Sequence, residues 1–263
     1  MTKTEAGSAK ARSRRAYQRP IESRATADPV RDRPNVEMSD TAGHFRIYKY
    51  TVLRSLVKEP TLSFFYKYAV HLATGSGANK GDGCMPGTPS IYADPMMETL
   101  LEALRPHVEQ ATSLHLYPTY AYFRVYKADD VLPRHTDRPS CEISLTLSLG
   151  YRAKRPWPIW IDGASGASSV DLNPGDAMLY RGIECAHWRT AFDGDHAAQV
   201  FLHYVDRNGP HAEWRFDKRE GLNSFRHLTK TQSRFLFRGL PSWVPTYPEA
   251  QTGKVNANRS PAA

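Results

Sequence analysis

Residues 135–149 read HTDRPSCEISLTLSL, and two patterns in this stretch decide the fold. From residue 142 onward polar and apolar side chains alternate. Glu142, Ser144, Thr146 and Ser148 fall on one face of an extended chain, and Ile143, Leu145, Leu147 and Leu149 on the other. Such a strand divides an apolar core from either solvent or a wet, ligand-binding lumen. Just upstream, His135 and Asp137 stand two residues apart, which turns both side chains to the same side of an extended segment. A histidine and a carboxylate at that spacing, beside a strand with a polar face, favour the lumen.

The period of two continues through the second half of the chain. Strands are predicted over 120–126, 142–149, 157–161, 177–180 and 197–205, with turn signals at Asp162-Gly163 and Asn173-Pro174-Gly175-Asp176. Before residue 112 the spacing is helical. Phe45, Ile47, Leu53, Leu56, Phe64, Phe65, Tyr68 and Leu72 fit helix better than strand, with Pro60 interrupting them. Asp94-Pro95 is a helix start, an N-cap followed by proline. Met97, Leu100, Leu101, Leu104 and Val108 mark the face of that helix, which Pro106 should end or kink. Five glycines and two prolines between Thr74 and Ser90 predict a long mobile loop. The expected fold is α+β: a double-stranded β-helix (jelly-roll) core over 112–206, with supporting helices over 41–110. Together they make one domain, 41–240, between a disordered basic tail (1–40) and a loose C-terminal tail (241–263).

The net charge of +8 raises the question of nucleic acid, and its distribution answers it. Residues 1–40 hold 9 Lys/Arg against 6 Asp/Glu, and residues 221–263 hold 6 against 1, while 41–220 are balanced at 20 of each. A nucleic-acid enzyme would carry a basic face on its core, so a nucleic-acid partner is disfavoured. No apolar run is long enough to cross a bilayer, so no membrane partner is expected. Cys84, Cys141 and Cys185 lack CxxC spacing, and the expectation is reduced thiols in a cytoplasmic protein.

Fifty residues after Asp137 comes His187, beyond a Gly-Asp turn and the strand at 177–180. Two imidazoles and one carboxylate on one face of a metal leave adjacent positions open, the arrangement that non-haem iron(II) oxygenases use. The alternative is a turn-capping His135 and a core His187. Cys185-Ala186-His187 is not a zinc site, because no second Cys/His pair stands at usable spacing.

The stretch from Tyr126 to Asp206 resembles the prolyl-4-hydroxylase-like branch of the 2-oxoglutarate/iron(II) dioxygenases. Tyr126 stands nine residues before His135, Ser144 lies in the strand that follows, and a Pro-Gly turn and strand precede His187. The resemblance covers about a third of the chain. It implies an Fe(II)/2-oxoglutarate-dependent hydroxylase with His135, Asp137 and His187 as catalytic metal ligands. It also implies 2-oxoglutarate as cosubstrate, released as succinate and CO2, with Tyr126 and Ser144 beside it. The substrate would be a small molecule or a peptidyl side chain. Asp137 argues against halogenation, because related halogenases carry a small residue there.

The chain departs from that pattern where the branch supplies a basic residue nine to twelve positions after the distal histidine. Here Gly194-Asp195-His196 stands instead, and histidine is a weaker, pH-dependent partner for a carboxylate than a guanidinium. Arg189, two residues past His187, is an equal candidate for the C5 carboxylate, and Arg124, on a strand face with Tyr122 and Tyr126, follows. Arg138, Arg181 and Glu184 flank the ligands; Trp157, Trp160 and Trp188 are candidates for either pocket wall or core. Two other readings remain: an AlkB-like nucleic-acid dealkylase, which needs two arginines after the distal histidine, and a cupin-like metal-binding jelly roll, which needs HxH.

Overall fold

The computed structural model describes residues 41–75, 78–82 and 84–222. In chain order these form α1 (Thr41–Tyr48), β1 (Tyr50–Leu53), α2 (Thr61–Thr74), β2 (Asn79–Gly81), β3 (Pro86–Tyr92) and α3 (Pro95–Thr112). Then follow β4 (Leu116–Lys127), β5 (Leu132–His135), β6 (Ile143–Ala153), β7 (Ile159–Gly163), β8 (Gly166–Val170), β9 (Ala177–Arg181), β10 (His187–Arg189) and β11 (Gly194–Asp206). A short 3-10 segment, Pro139–Cys141, precedes β6, and kinked 3-10 turns span Ala212–Lys218. The expected tails at 1–40 and 241–263 lie outside the described residues.

The strands make two facing antiparallel sheets: a large one ordered β1-β9-β6-β11-β4-β3-β2 and a small one ordered β5-β10-β7-β8. This is the α+β double-stranded β-helix that the alternation predicted. One face of the large sheet carries Ile143, Leu145, Leu147, Leu149, Ala198, Val200, Leu202 and Tyr204. It buries them against Leu62, Phe65 and Ala69 of α2 and Met97, Leu100, Leu101, Leu104 and Val108 of α3. Burying a side chain of this size stabilises the fold by about 1.5–3 kcal/mol each, so this layer holds the sheet rigid behind its other face. That other face is polar and equally buried, with Ser144, Thr146 and Ser148 all at 0% exposure. The polar side of β6 therefore looks into the space between the sheets and not into solvent.

Register places that inner face in rows. Ser90, Arg124, Gln199 and Ser148 lie side by side across β3, β4, β11 and β6, and Tyr120, His203, Ser144 and Tyr180 across β4, β11, β6 and β9. A bulge in β6 puts Leu149 and Gly150 both outward, since a Cβ on Gly150 would meet the Tyr66 ring of α2 at 2.6 Å.

Several expectations change. The first part is not helical support alone: β1, β2 and β3 extend the large sheet. Tyr50–Leu53 pairs with β9, so the spacing that suited a helix belongs to an edge strand. The segment expected as a long loop folds partly into the β2–β3 hairpin, with Pro86 as the first residue of β3 and Pro89 within the register shift between the two strands. Helix α3 starts where Asp94 accepts from the Met97 N–H at 3.0 Å, but it runs through Pro106 to Thr112. The buried stripe on both sides of Pro106 offsets the roughly 3 kcal/mol that an interior proline costs. Among the described residues no helix is long and apolar enough to cross a membrane.

Candidate active site

His135 ends β5 and His187 begins β10, and the two are direct cross-strand partners with ring centroids 4.3 Å apart. Each ring's orientation is fixed by a carbonyl. His135 Nδ1 donates to Pro133 O at 2.8 Å and His187 Nδ1 to Cys185 O at 3.0 Å. A carbonyl can only accept, so both Nδ1 atoms carry the proton and both Nε2 atoms present lone pairs. Asp137 Oδ1 lies 3.8 Å from His135 Nε2 and 3.7 Å from His187 Nε2. Its Oδ2 accepts from Ser144 Oγ at 2.9 Å, and its backbone N–H donates to Gly182 O at 2.9 Å. Three ligand atoms thus lie within 4.8 Å of one another, each with its remaining polar atom already held by a neighbour. This donor set fits a divalent ion with open positions on the solvent side, where His135 is the most exposed of the three. Burial, with His135 adding to it, pushes the His187 imidazole below its ordinary value against the pull of Asp137.

Gly182 makes this packing possible. A Cβ there would stand 2.3 Å from Cys141 O, 2.4 Å from Asp137 Oδ2 and 2.8 Å from Ser144 Oγ.

His135, Asp137 and His187 open into a cavity of about 410 Å3, walled by Tyr92, Tyr120, Tyr122, Arg124, Tyr126, Arg138, Tyr180, Phe201 and His203. Several buried polar atoms, most of them behind the lining residues, have no partner among the described residues. Tyr126 is fully buried and its hydroxyl has no hydrogen-bond partner among the described residues. The same holds for Ser90 Oγ, Arg124 Nε, Ser148 Oγ, Gln199 Oε1 and Thr146 Oγ1, most of them in the row across the large sheet. Arg189 is 1% exposed. Its Nη1 donates to Trp157 O, its guanidinium lies over the Trp157 ring at 4.8 Å, and its Nε and Nη2 are unpaired. Burial with no carboxylate beside it pushes its pKa down to about 10, opposed by Tyr126 and Tyr180. A buried donor left unpaired costs about 1–3 kcal/mol, more when charged, so the Arg189 guanidinium favours an anionic partner.

The other expected residues are distributed differently. His196 shares the face of β11 that carries Ala198, Val200 and Leu202. It pairs with the Tyr66 hydroxyl of α2 at 2.6 Å, on the helix side of the sheet and away from the metal residues. The Ser144 hydroxyl lies among Asp137 Oδ2, Cys141 O at 3.1 Å and His203 Nδ1 at 2.9 Å. Arg124 lines the cavity and is ion-paired with Asp82 of the β2–β3 turn, which also accepts from Tyr122 Oη at 2.7 Å. Arg138 lies 4.7 Å over the Tyr120 ring, bound at 2.8 Å through both Nη atoms to Asp217. Arg181 and Glu184 form a surface pair at 3.4 Å. Trp160 and Trp188 stack on the outer face of the small sheet, while Trp157 is buried against Tyr126 and Phe192.

Sequence reasoning passed over His203, Gly182, Tyr180, Asp82 and Asp217. His203 was legible, because it alternates with the apolar residues of β11 on the same side as Gln199. The others depend on contacts distant in the chain.

No family model matches the chain, and no curated protein matches its sequence. Solved structures do match in fold. A prolyl-4-hydroxylase from Pseudomonas putida superposes with a TM-score of 0.55 at 14% identity, over 65% of this chain and 100% of that one. The non-haem α-ketoglutarate-dependent epimerase SnoN from nogalamycin biosynthesis gives 0.56 at 12%, over 64% and 80%. HygX from Streptomyces hygroscopicus, crystallised with nickel, 2-oxoglutarate and hygromycin B, gives 0.53 at 12%, over 64% and 87%. The chain has the double-stranded β-helix fold of 2-oxoglutarate/iron(II) oxygenases, a prolyl-4-hydroxylase among them.

Proposed function

We propose that this protein is an iron(II)- and 2-oxoglutarate-dependent oxygenase that hydroxylates a small molecule or a peptidyl side chain. The observation that carries the reading is Arg189, a fully buried guanidinium with two unpaired N–H-bearing nitrogens, two residues along the same strand face from His187. His135, Asp137 and His187 would hold iron(II) through two Nε2 atoms and Oδ1. Bound there with 2-oxoglutarate, iron supplies the chemistry that splits dioxygen, one atom going to the substrate as hydroxyl and one to succinate, with release of CO2. The chain's own residues do the rest. Arg189 pairs with the C5 carboxylate and the Tyr126 hydroxyl donates to it, which satisfies both at once. Ser144 fixes the rotamer of Asp137 so that Oδ1 stays on the metal. The Tyr and Phe walls exclude water and position the substrate.

The dealkylase reading lacks its second arginine: Arg207 lies 5.0 Å over the Tyr117 ring. The cupin reading lacks the second histidine of HxH.

Succinate formation with iron(II), 2-oxoglutarate and a substrate pool tests the proposal, with mass spectrometry of the pool for a gain of one oxygen. Arg189→Ala should raise the KM for 2-oxoglutarate at least tenfold, and His196→Ala should leave it within about twofold, since losing a charged hydrogen bond costs about 1.5–3 kcal/mol. Turnover with unchanged KM in Arg189→Ala removes Arg189 from the cosubstrate site.

A further inference from the structure

The hydroxyl of Ser144 settles the tautomer of a residue that the metal site does not use. Ser144 Oγ has three neighbours: Asp137 Oδ2 at 2.9 Å, Cys141 O at 3.1 Å and His203 Nδ1 at 2.9 Å. A carboxylate and a carbonyl only accept, and a serine has one proton to give. Two of the three contacts are hydrogen bonds only if that proton goes to one of the two oxygens while His203 Nδ1 carries its own hydrogen and donates to Ser144 Oγ. The other ring nitrogen, Nε2, is then a bare lone pair.

This lone pair is on the cavity. His203 is one of the wall residues, and its Nε2 has no hydrogen-bond partner among the described residues. The ring packs against Tyr120 at a centroid distance of 4.6 Å, tilted by 37°. Burial pushes the His203 pKa down to about 4 against the pull of Asp137, with Arg138 and His187 adding to the fall, so the ring is neutral at pH 7. The hydroxyls around it are already committed, Tyr120 Oη against Cys141 Sγ at 3.1 Å and Tyr92 Oη to Asp217. Nε2 is therefore an acceptor held beside Tyr120 on the cavity wall.

We propose that His203 is a specificity-determining residue whose Nε2 accepts a hydrogen bond from the substrate, so the substrate carries an O–H or N–H donor on a ring or chain that packs against Tyr120. The role of this contact in turnover rests on the oxygenase reading above; the acceptor itself does not.

The test uses the full chain loaded with zinc(II), which is redox-inert, and 2-oxoglutarate, with phenol and anisole as matched probes. Nitrogen-15 histidine spectra should show His203 protonated at Nδ1 and bare at Nε2 at pH 7. Phenol should shift the Nε2 resonance and bind about fivefold tighter than anisole, the worth of one neutral hydrogen bond. His203→Phe should erase that preference. A protonated Nε2, equal binding of the two probes, or a preference that survives His203→Phe overturns the proposal. If His203→Phe does not fold, the tautomer and the phenol-induced shift in the wild-type protein still decide. Phenol selectivity in a protein that makes no succinate would sink the oxygenase reading and leave the acceptor standing.

Discussion

Gly182→Ala is the substitution whose effect the site specifies most sharply. Ordinary contact for a Cβ begins at 3.4 Å, and the added methyl would stand at 2.3 Å from Cys141 O and 2.4 Å from Asp137 Oδ2, an overlap of about 1 Å with each. Cys141 O is backbone and cannot swing aside, so the displaced group is the Asp137 carboxylate, together with the Ser144 hydroxyl that holds it. Overpacking of this size costs about 1–3 kcal/mol of stability. Loss of a ligand's supporting hydrogen bond costs about 10–100-fold in metal affinity. The expected outcome is therefore a folded protein whose divalent-metal affinity drops by one to two orders of magnitude. Gly221→Ala, where the added methyl meets nothing within 4 Å, should bind as wild type. Competitive titration of manganese(II) against a chromophoric chelator measures the affinity, and thermal unfolding of the metal-free proteins measures the stability. Wild-type metal affinity in Gly182→Ala would refute the placement of Asp137 at the metal.

Two further outcomes can be measured directly. His203 titrates near 4 in the native state and near 6.5 when unfolded, so the unfolded chain binds more protons between those values and stability falls as pH falls. That loss amounts to about 3 kcal/mol across the window, and denaturant unfolding of metal-free His203→Gln should show correspondingly less of it. A chain beginning at Thr41, where the described helix α1 starts and Phe45 enters the core, should fold and consume 2-oxoglutarate; an insoluble or inactive product would make residues 1–40 structural.

What was legible in the sequence was what repeats over many residues. The alternation in β6 gave the two faces of the large sheet, and the capping pair Asp94-Pro95 gave the start of α3. The clustering of His135, Asp137 and His187 was legible because His135 and Asp137 are close in the chain and His187 follows a recognisable turn. The rest depended on long-range pairing. Strands as short as β1 and β10 carry too few residues to show a period, and their pairing with β9 and with β5 and β7 is what makes them strands. Counting residues after His187 offered His196 as readily as Arg189. Parity along β11 separates them, because His196 falls in step with Ala198, Val200 and Leu202 on the helix-packed face. Gly182 and the Asp217–Arg138 pair could not be found without coordinates, since each acts on residues more than 35 positions away.

The central claim is that His135, Asp137 and His187 hold iron(II) in a way that lets 2-oxoglutarate chelate it. Anaerobic addition of 2-oxoglutarate to the iron(II)-loaded protein tests this most directly, by the visible charge-transfer band of an α-keto acid bound to iron(II) through its keto and carboxylate oxygens. The account predicts that the band saturates at one iron per chain in the wild type. It should be absent in Asp137→Ala, and in Arg189→Ala it should require at least tenfold more 2-oxoglutarate. A wild-type protein that binds iron(II) but develops no band at saturating 2-oxoglutarate would contradict the account.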